Sequence, residues 1–365
     1  MRIAIFHNFM DNIGGAEIVC LYLTREFNAD LYTTNIDKEK IKKMGFEDIL
    51  PRIKSIGNVP KEAPFRQQLT FMKFRKLNLK GKYDFFIIGG DWAIPAAVNN
   101  KPNLEYFHSP LNEIWAFRDY TRNSLKPWMK PIYQTWTSYV RILYKKYFKH
   151  VERRVCNSQN TLNRIKKYLN SNAKIIFPPV DVKRYPSKKS EDFWLSVNRL
   201  VNHKRVDIQL DAFKKIPEQK LIIVGSYEQS KSFLKEKKYL ESILPKNVEV
   251  IHWAEDKTLI ELYSKCKGFI TTAKDEDFGM TAIEAMAAGK PVIAPNEGGY
   301  KESVIEGKTG FLIEDINEDN LAEAIKNVSG ELEKNPDKYK NNCIKQAKKF
   351  NITNFINQIK EEIDK

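Results

Sequence analysis

The stretch GFITTAKDEDFGMTAIEAMAAGKPVIAP, residues 268–295, contains a strand, a loop, a helix and a second strand in that order. GFITTA (268–273) and PVIAP (291–295) are apolar runs of strand length, and TAIEAMAAG between them is rich in helix formers and closes at Gly289. Two strands joined through a helix run parallel, so the segment predicts a β-α-β unit. It is also chemically marked. Glu276 sits in the loop and Glu284 about one turn into the helix, with seven residues between them. Gly279 allows close backbone approach, so the amides around Gly279, Met280 and Thr281 gather at a helix N-terminus, a natural anion site. Carboxylates suit pairs of sugar or ribose hydroxyls. Two plainer readings stand beside this one. Glu284 can simply stabilise the helix start while Glu276 is solvated, and DED (275–277) has the look of an Asp-x-Asp metal loop.

The same rhythm extends outward. RIAIF (2–6), DFFIIG (84–89), NLEYFH (103–108), RRVCNS (153–158), FWLSVN (193–198), KLIIVG (220–225) and VEVIHW (248–253) read as buried parallel strands, most followed by a helical pattern. The rhythm breaks at FPPVDVKRYPSKKSEDF (177–193), where prolines and charges cluster. The expected fold class is α/β: two Rossmann-like, doubly wound parallel-sheet domains facing across a cleft. The expected boundaries are 1–180 for an N-terminal Rossmann-like domain, 181–192 for a linker and 193–345 for a C-terminal Rossmann-like domain. The tail 346–365 is expected to form a helix packing back on the N-terminal domain.

With 365 residues, 42% of them hydrophobic, the chain can bury two cores. A formal charge of +15 favours an anionic partner. Cys20, Cys156, Cys266 and Cys343 lack metal or redox spacing and read as reduced thiols of a cytoplasmic protein. MRIAIF is too short an apolar run for a signal peptide, and no run approaches the roughly 20 apolar residues of a membrane span.

EDFGMTAIEAMAAGKPVIAPNEGGYKESV, followed in order by GKTGFLI (307–313), resembles the Glu-x7-Glu signature of retaining glycosyltransferases with the GT-B fold, family 4. The resemblance is firm over 193–313 and looser over 1–181. It implies that Glu276 contacts the donor sugar, that Glu284 contacts the nucleotide ribose, and that the amides from Phe278 to Met280 face sugar and phosphate. FWLSVNRLVNHKRVD (193–207) sets Arg199 and Lys204 five apart at a strand end, cations suited to a leaving diphosphate; the resemblance implies that they bind it. In NIGGAEIV (12–19), Gly14-Gly15 before a helix lacks dinucleotide spacing but matches the family's Gly-Gly loop at Gly15, Ala16 and Glu17.

YFHSPLNEIW (106–115) puts His108 at a strand end, where the family often has a histidine near the transferred sugar. The match is to a subgroup rich in mannosyltransferases, which usually has arginine where this chain has Asn112. SYEQSKS (226–232) replaces the family's acidic-Gly-Pro turn. His252-Trp253-Ala254 stands where a glycine usually opens the base loop, so Trp253 either stacks near the base or packs.

Residues 117–154 carry ten Lys or Arg against two acids, with nine aromatics interleaved, and FRQQLTFMKFRKLNLKGK (65–82) is a second patch of this kind. The readings are docking on an anionic membrane surface at the inner face, an ordinary buried aromatic stripe, or a grip on RNA, which no nucleic-acid motif supports. The expectation for function is transfer of a sugar, first mannose from GDP-mannose, to a glycan or lipid-linked acceptor, without metal or cofactor. The donor is a GDP- or UDP-sugar. A sugar-nucleotide epimerase, a glycan phosphorylase and a non-catalytic anion- or membrane-binding protein are the alternatives.

Overall fold

The computed structural model describes residues 1–11, 14–61, 65–225, 231–252 and 254–365, with backbone alone for 231–236. The chain divides into two compact units. One comprises Met1–Pro178 with Phe355–Lys365, the other Pro179–Asn354.

In the first unit seven parallel strands, β1 (Ile3–Phe6), β2 (Asp30–Thr33), β3 (Ile53–Ser55), β4 (Phe85–Ile88), β5 (Asn103–Phe107), β6 (Arg153–Cys156) and β7 (Lys174–Ile175), lie in the order β3-β2-β1-β4-β5-β6-β7. β1 and β4 are buried along their whole length because layers cover both faces of a parallel sheet. On one face Phe6, Phe86 and Ile88 join Phe71 and Phe74 of the helix Phe65–Lys76 and Val140, Tyr144 and Phe148 of the helix Met129–Phe148 in one core. The C-terminal helix Ile352–Asp364 buries Phe355, Ile359 and Ile363. Its Phe355 ring meets Tyr106 at 5.5 Å between centroids, and Arg153 donates to the Ile363 carbonyl at 2.8 Å.

In the second unit six parallel strands, β8 (Trp194–Val197), β9 (Leu221–Val224), β10 (Val248–Ile251), β11 (Gly268–Ile270), β12 (Val292–Pro295) and β13 (Gly310–Ile313), lie in the order β10-β9-β8-β11-β12-β13. Both sheets are doubly wound, as the strand–helix alternation predicts. The strand order reverses at β1/β4 and at β8/β11, and open α/β sheets bind ligands beyond the carboxyl ends of the strands at such points. All nine strands read from apolar runs are present. β2, β3, β7 and β13 are additional, and each has partly exposed residues, so none is a continuously buried run.

Candidate functional site

The chain leaves β8 through Asn198, Arg199 and Leu200, then turns at Asn202–Arg205 into the helix Val206–Lys214. It leaves β11 through Thr271–Glu276. Several contacts lash these two loops together at the β8/β11 reversal. The Lys274 amide donates to the His203 carbonyl at 2.7 Å. The Thr272 hydroxyl is shared between the carbonyls of Lys204 and Arg205, at 2.7 and 2.8 Å. Arg205, in the left-handed region with φ +49°, sends Nε to the Thr272 carbonyl at 2.6 Å and pairs its guanidinium with Glu297. Glu297 in turn accepts the Asp275 amide at 3.2 Å.

So held, Lys204 Nζ reaches Glu276 Oε2 at 2.5 Å. Burial pushes the Glu276 carboxyl up, but Lys204, with His203 and the charge of Arg199, outweighs it and holds the group below the ordinary carboxylate range. His203 is driven down to about 4 by burial first and then by Lys204 and Arg199, so it is neutral. The structure thus brings Arg199, Lys204 and Glu276 into one electrostatic cluster.

The next turn explains the GGY of NEGGYKESV. Gly279 stands before the helix Met280–Ala287 with φ +87°, and a Cβ there would lie 2.4 Å from the Tyr300 ring, whose hydroxyl meets Thr271 Oγ1 at 2.8 Å. Gly298 has φ +60°, and a Cβ would lie 2.4 Å from the Glu276 carbonyl oxygen. The Gly299 amide donates to that same carbonyl at 2.8 Å. Gly298, Gly299 and Tyr300 therefore form the cradle of the 275–279 loop, a role that spacing alone did not disclose. Phe278 turns its ring into the core, 2% exposed and 5.4 Å from Phe350 between centroids. Any contact it makes with a donor must come from its backbone. Met280 and Thr281 begin the helix, where the first amides have no intrahelical acceptor.

Glu284 has different surroundings. Burial raises its pKa, against the opposing pull of Tyr263, Arg184 and Tyr185. The Tyr263 hydroxyl is buried without a hydrogen-bond partner of standard geometry. Tyr263, Tyr185 and Arg184 were not singled out from sequence, since the adjacent Arg184 and Tyr185 lie far along the chain from Tyr263 and from Glu284. Among the described residues, no group of three His, Cys, Asp or Glu side chains could hold a metal ion.

Gly15 and His108 lie in the other unit. Gly15 is exposed and opens the helix Gly15–Glu26. Glu17 accepts the Gly14 amide at 2.8 Å and meets His7 Nε2 at 3.0 Å, while His7 Nδ1 meets the Gly89 carbonyl at 2.9 Å. Burial opposes a charge on His7, but contact with Cys20 and Glu17 outweighs it and raises its pKa well above the ordinary value. His108 is pushed down to about 3 by burial and then by His7, and its buried Nε2 has no hydrogen-bond partner. Buried Arg164 donates to Ser109 Oγ at 2.6 Å and to Asn112 Oδ1 at 3.2 Å, so a guanidinium reaches this station from the helix Gln159–Leu169. Trp253 and the turn 226–230 lie outside the described residues.

Residues 179–350 match the family model described as Glycosyl transferases group 1. An uncharacterized glycosyltransferase of Methanocaldococcus jannaschii is 33% identical over 47% of this chain; the match spans 48% of that protein, about half its length. The alpha-1,3/1,6-mannosyltransferase ALG2 of Candida glabrata is 26% identical over 95% of this chain and 89% of its own. The solved structure of Anabaena Alr3699/HepE in complex with UDP and glucose matches with a TM-score of 0.79 at 18% identity, covering 100% of this chain and 99% of that one. At that identity the likeness is one of fold, and the fold is GT-B.

Proposed function

We propose, for a chain whose residues 179–350 match the model of the group 1 glycosyl transferases and whose fold is GT-B, that it moves a hexose from a nucleoside diphosphate to an acceptor hydroxyl with retention of configuration. The observation that carries this reading is the Lys204–Glu276 pair beside Arg199 at the β8/β11 reversal, next to a helix start. In the proposed reaction the bond from the anomeric carbon to the diphosphate oxygen breaks and its electron pair stays on the diphosphate. The acceptor oxygen bonds to the same face of that carbon and its proton passes to the departing phosphate. Negative charge grows on the leaving group, and Arg199, Lys204 and the helix N-terminus are the groups suited to meet it. Glu276, kept ionised, is suited to accept sugar hydroxyls, and Glu284 those of the ribose. No metal is required in this scheme, because the cations belong to the chain.

The donor reading is GDP-mannose, supported by the near full-length likeness to a mannosyltransferase. The Anabaena protein holds UDP and glucose, so UDP-glucose is the comparison donor. The acceptor reading is a lipid-linked or cell-surface glycan precursor. The test is incubation with each nucleotide sugar, with and without acceptor, and separately of glycan with inorganic phosphate, with the product anomer assigned by NMR and donor binding measured by calorimetry. Donor-dependent transfer with retention supports the proposal. Conversion of the donor alone identifies an epimerase, release of sugar phosphate a phosphorylase, and absence of nucleotide-sugar binding a non-catalytic protein; each overturns it.

A further inference from the structure

We infer that the unit containing Met1–Pro178 carries a separate docking surface for an anionic lipid bilayer, formed by the outer faces of the helices Phe65–Lys76 and Met129–Phe148. An α-helix advances about 100° per residue. On Met129–Phe148 the buried Thr137, Val140, Tyr144 and Phe148 therefore span about 80° of one face. Ile132, Tyr139 and Ile142, with Trp128 just before the helix, cluster within about 80° on the opposite face. The shorter helix repeats the design. Phe71 and Phe74 point inward, while Phe65, Leu69 and Met72 fall within about 60° on the outside. These seven outward side chains are 37–69% exposed. A helix apolar on two opposite faces is built to lie between two apolar layers. Here one layer is the core and the other is solvent.

The two faces belong to one surface. Both helices bury their inner residues in the same core, and Phe71 meets Tyr147 ring to ring at 5.1 Å between centroids. The surroundings identify the missing layer. Neither helix contains an acid, and together they hold eight Lys or Arg. Lys76 and Lys146 fall on the lines of the two apolar stripes, and Arg75, Lys145 and Lys149 are exposed beside them. Among the described residues Arg75, Lys76, Lys145 and Lys146 form no ion pair. An apolar stripe edged with unpaired cations fits lipid tails beneath anionic headgroups. A second copy would bring like charges together. Of the seven, Phe65, Trp128 and Tyr139 are flat, but Leu69, Met72, Ile132 and Ile142 offer no face on which an RNA base could stack, whereas all seven suit lipid. Among the described residues no helix is long and apolar enough to cross a membrane, so the contact is with the bilayer surface.

The aromatics of residues 117–154 divide between core and surface. Trp128 and Tyr139 face outward, but Tyr144 and Phe148 are core, and Trp136 stacks on Trp92.

The docking is independent of sugar transfer and is tested by sedimenting the full chain with phosphatidylcholine vesicles of graded phosphatidylglycerol content. Binding is expected to rise with anionic lipid and fall with salt. Ile132→Asp with Ile142→Asp is expected to weaken it at least tenfold. Lys145→Gln with Lys146→Gln should weaken it roughly fivefold per lysine. Lys326→Gln, in the helix Glu318–Lys334 of the other unit, should leave it unchanged. All these positions are exposed, and an unchanged melting midpoint confirms that each variant is folded. No binding at low salt overturns the proposal. So does binding untouched by the stripe variants, a dimer in sedimentation velocity that Ile142→Asp dissolves, or RNA binding lost in those variants without any vesicle binding.

Discussion

Glu276 and Glu284 differ by eight positions and are tuned in opposite directions. Lys204 holds Glu276 ionised, while burial raises Glu284. The stability contributed by the depressed Glu276 is present above the ordinary value of 4.5 and lost as pH falls through its lower folded value. Glu276→Gln should therefore flatten the acid side of a pH–melting curve. It should also lower kcat/KM about a hundred- to a thousandfold, the scale of losing one charge-stabilising contact. A group raised on folding behaves oppositely: its contribution is full below 4.5 and is lost as pH rises through the folded value. Glu284→Gln should thus melt higher than the parent at pH 7, the gap closing below 4.5, while transfer falls. A lower midpoint at pH 7 would contradict this account. The spacing of the two acids was legible in the sequence. Their opposite tuning was not, because Lys204, Tyr263 and Tyr185 approach from distant segments.

At the scale of loops and strands, the site is a set of carboxyl-end turns fastened to one another, and the GGY turn locks the loop that carries Glu276. Gly298→Ala would place a methyl 2.4 Å from the Glu276 carbonyl at φ +60°. It should cost about 1–2 kcal/mol in backbone strain and lower turnover at least tenfold by displacing that loop. Gly307→Ala is the matched control: its φ is +68°, but nothing lies within 4 Å of the added Cβ. It should show a similar loss of melting temperature with turnover preserved. Equal turnover losses in both variants would assign the effect to strain alone. Buried strands such as β1, β4 and β9 were legible because layers on both faces make them continuously apolar. Two- and three-residue edge strands such as KI (174–175) and IKS (53–55) carry too little pattern to register.

For the molecule as a whole, the alternation of apolar runs and helices was enough to predict two doubly wound sheets, since parallel strands demand crossover helices. Donor identity is a finer matter, settled by a few groups around the base, and Trp253 lies outside the described residues. It is therefore best approached through binding. A ligand that binds only the folded chain stabilises it by about 2.7 kcal/mol at a hundred times its Kd. For a domain of 150–250 residues that corresponds to about 5–10 °C in melting midpoint. GDP-mannose is expected to give such a rise and UDP-glucose a smaller one, with the bare nucleoside diphosphate retaining part of the effect. Lys204→Met should remove the part due to the diphosphate, because it takes away a cation while the fold persists. Chelation by EDTA should leave both the shift and the transfer rate unchanged if the chain's own cations meet the leaving charge. A shift that vanishes with EDTA and returns with a divalent ion would transfer that role to a metal. A shift of equal size in Lys204→Met would place the diphosphate elsewhere on the chain.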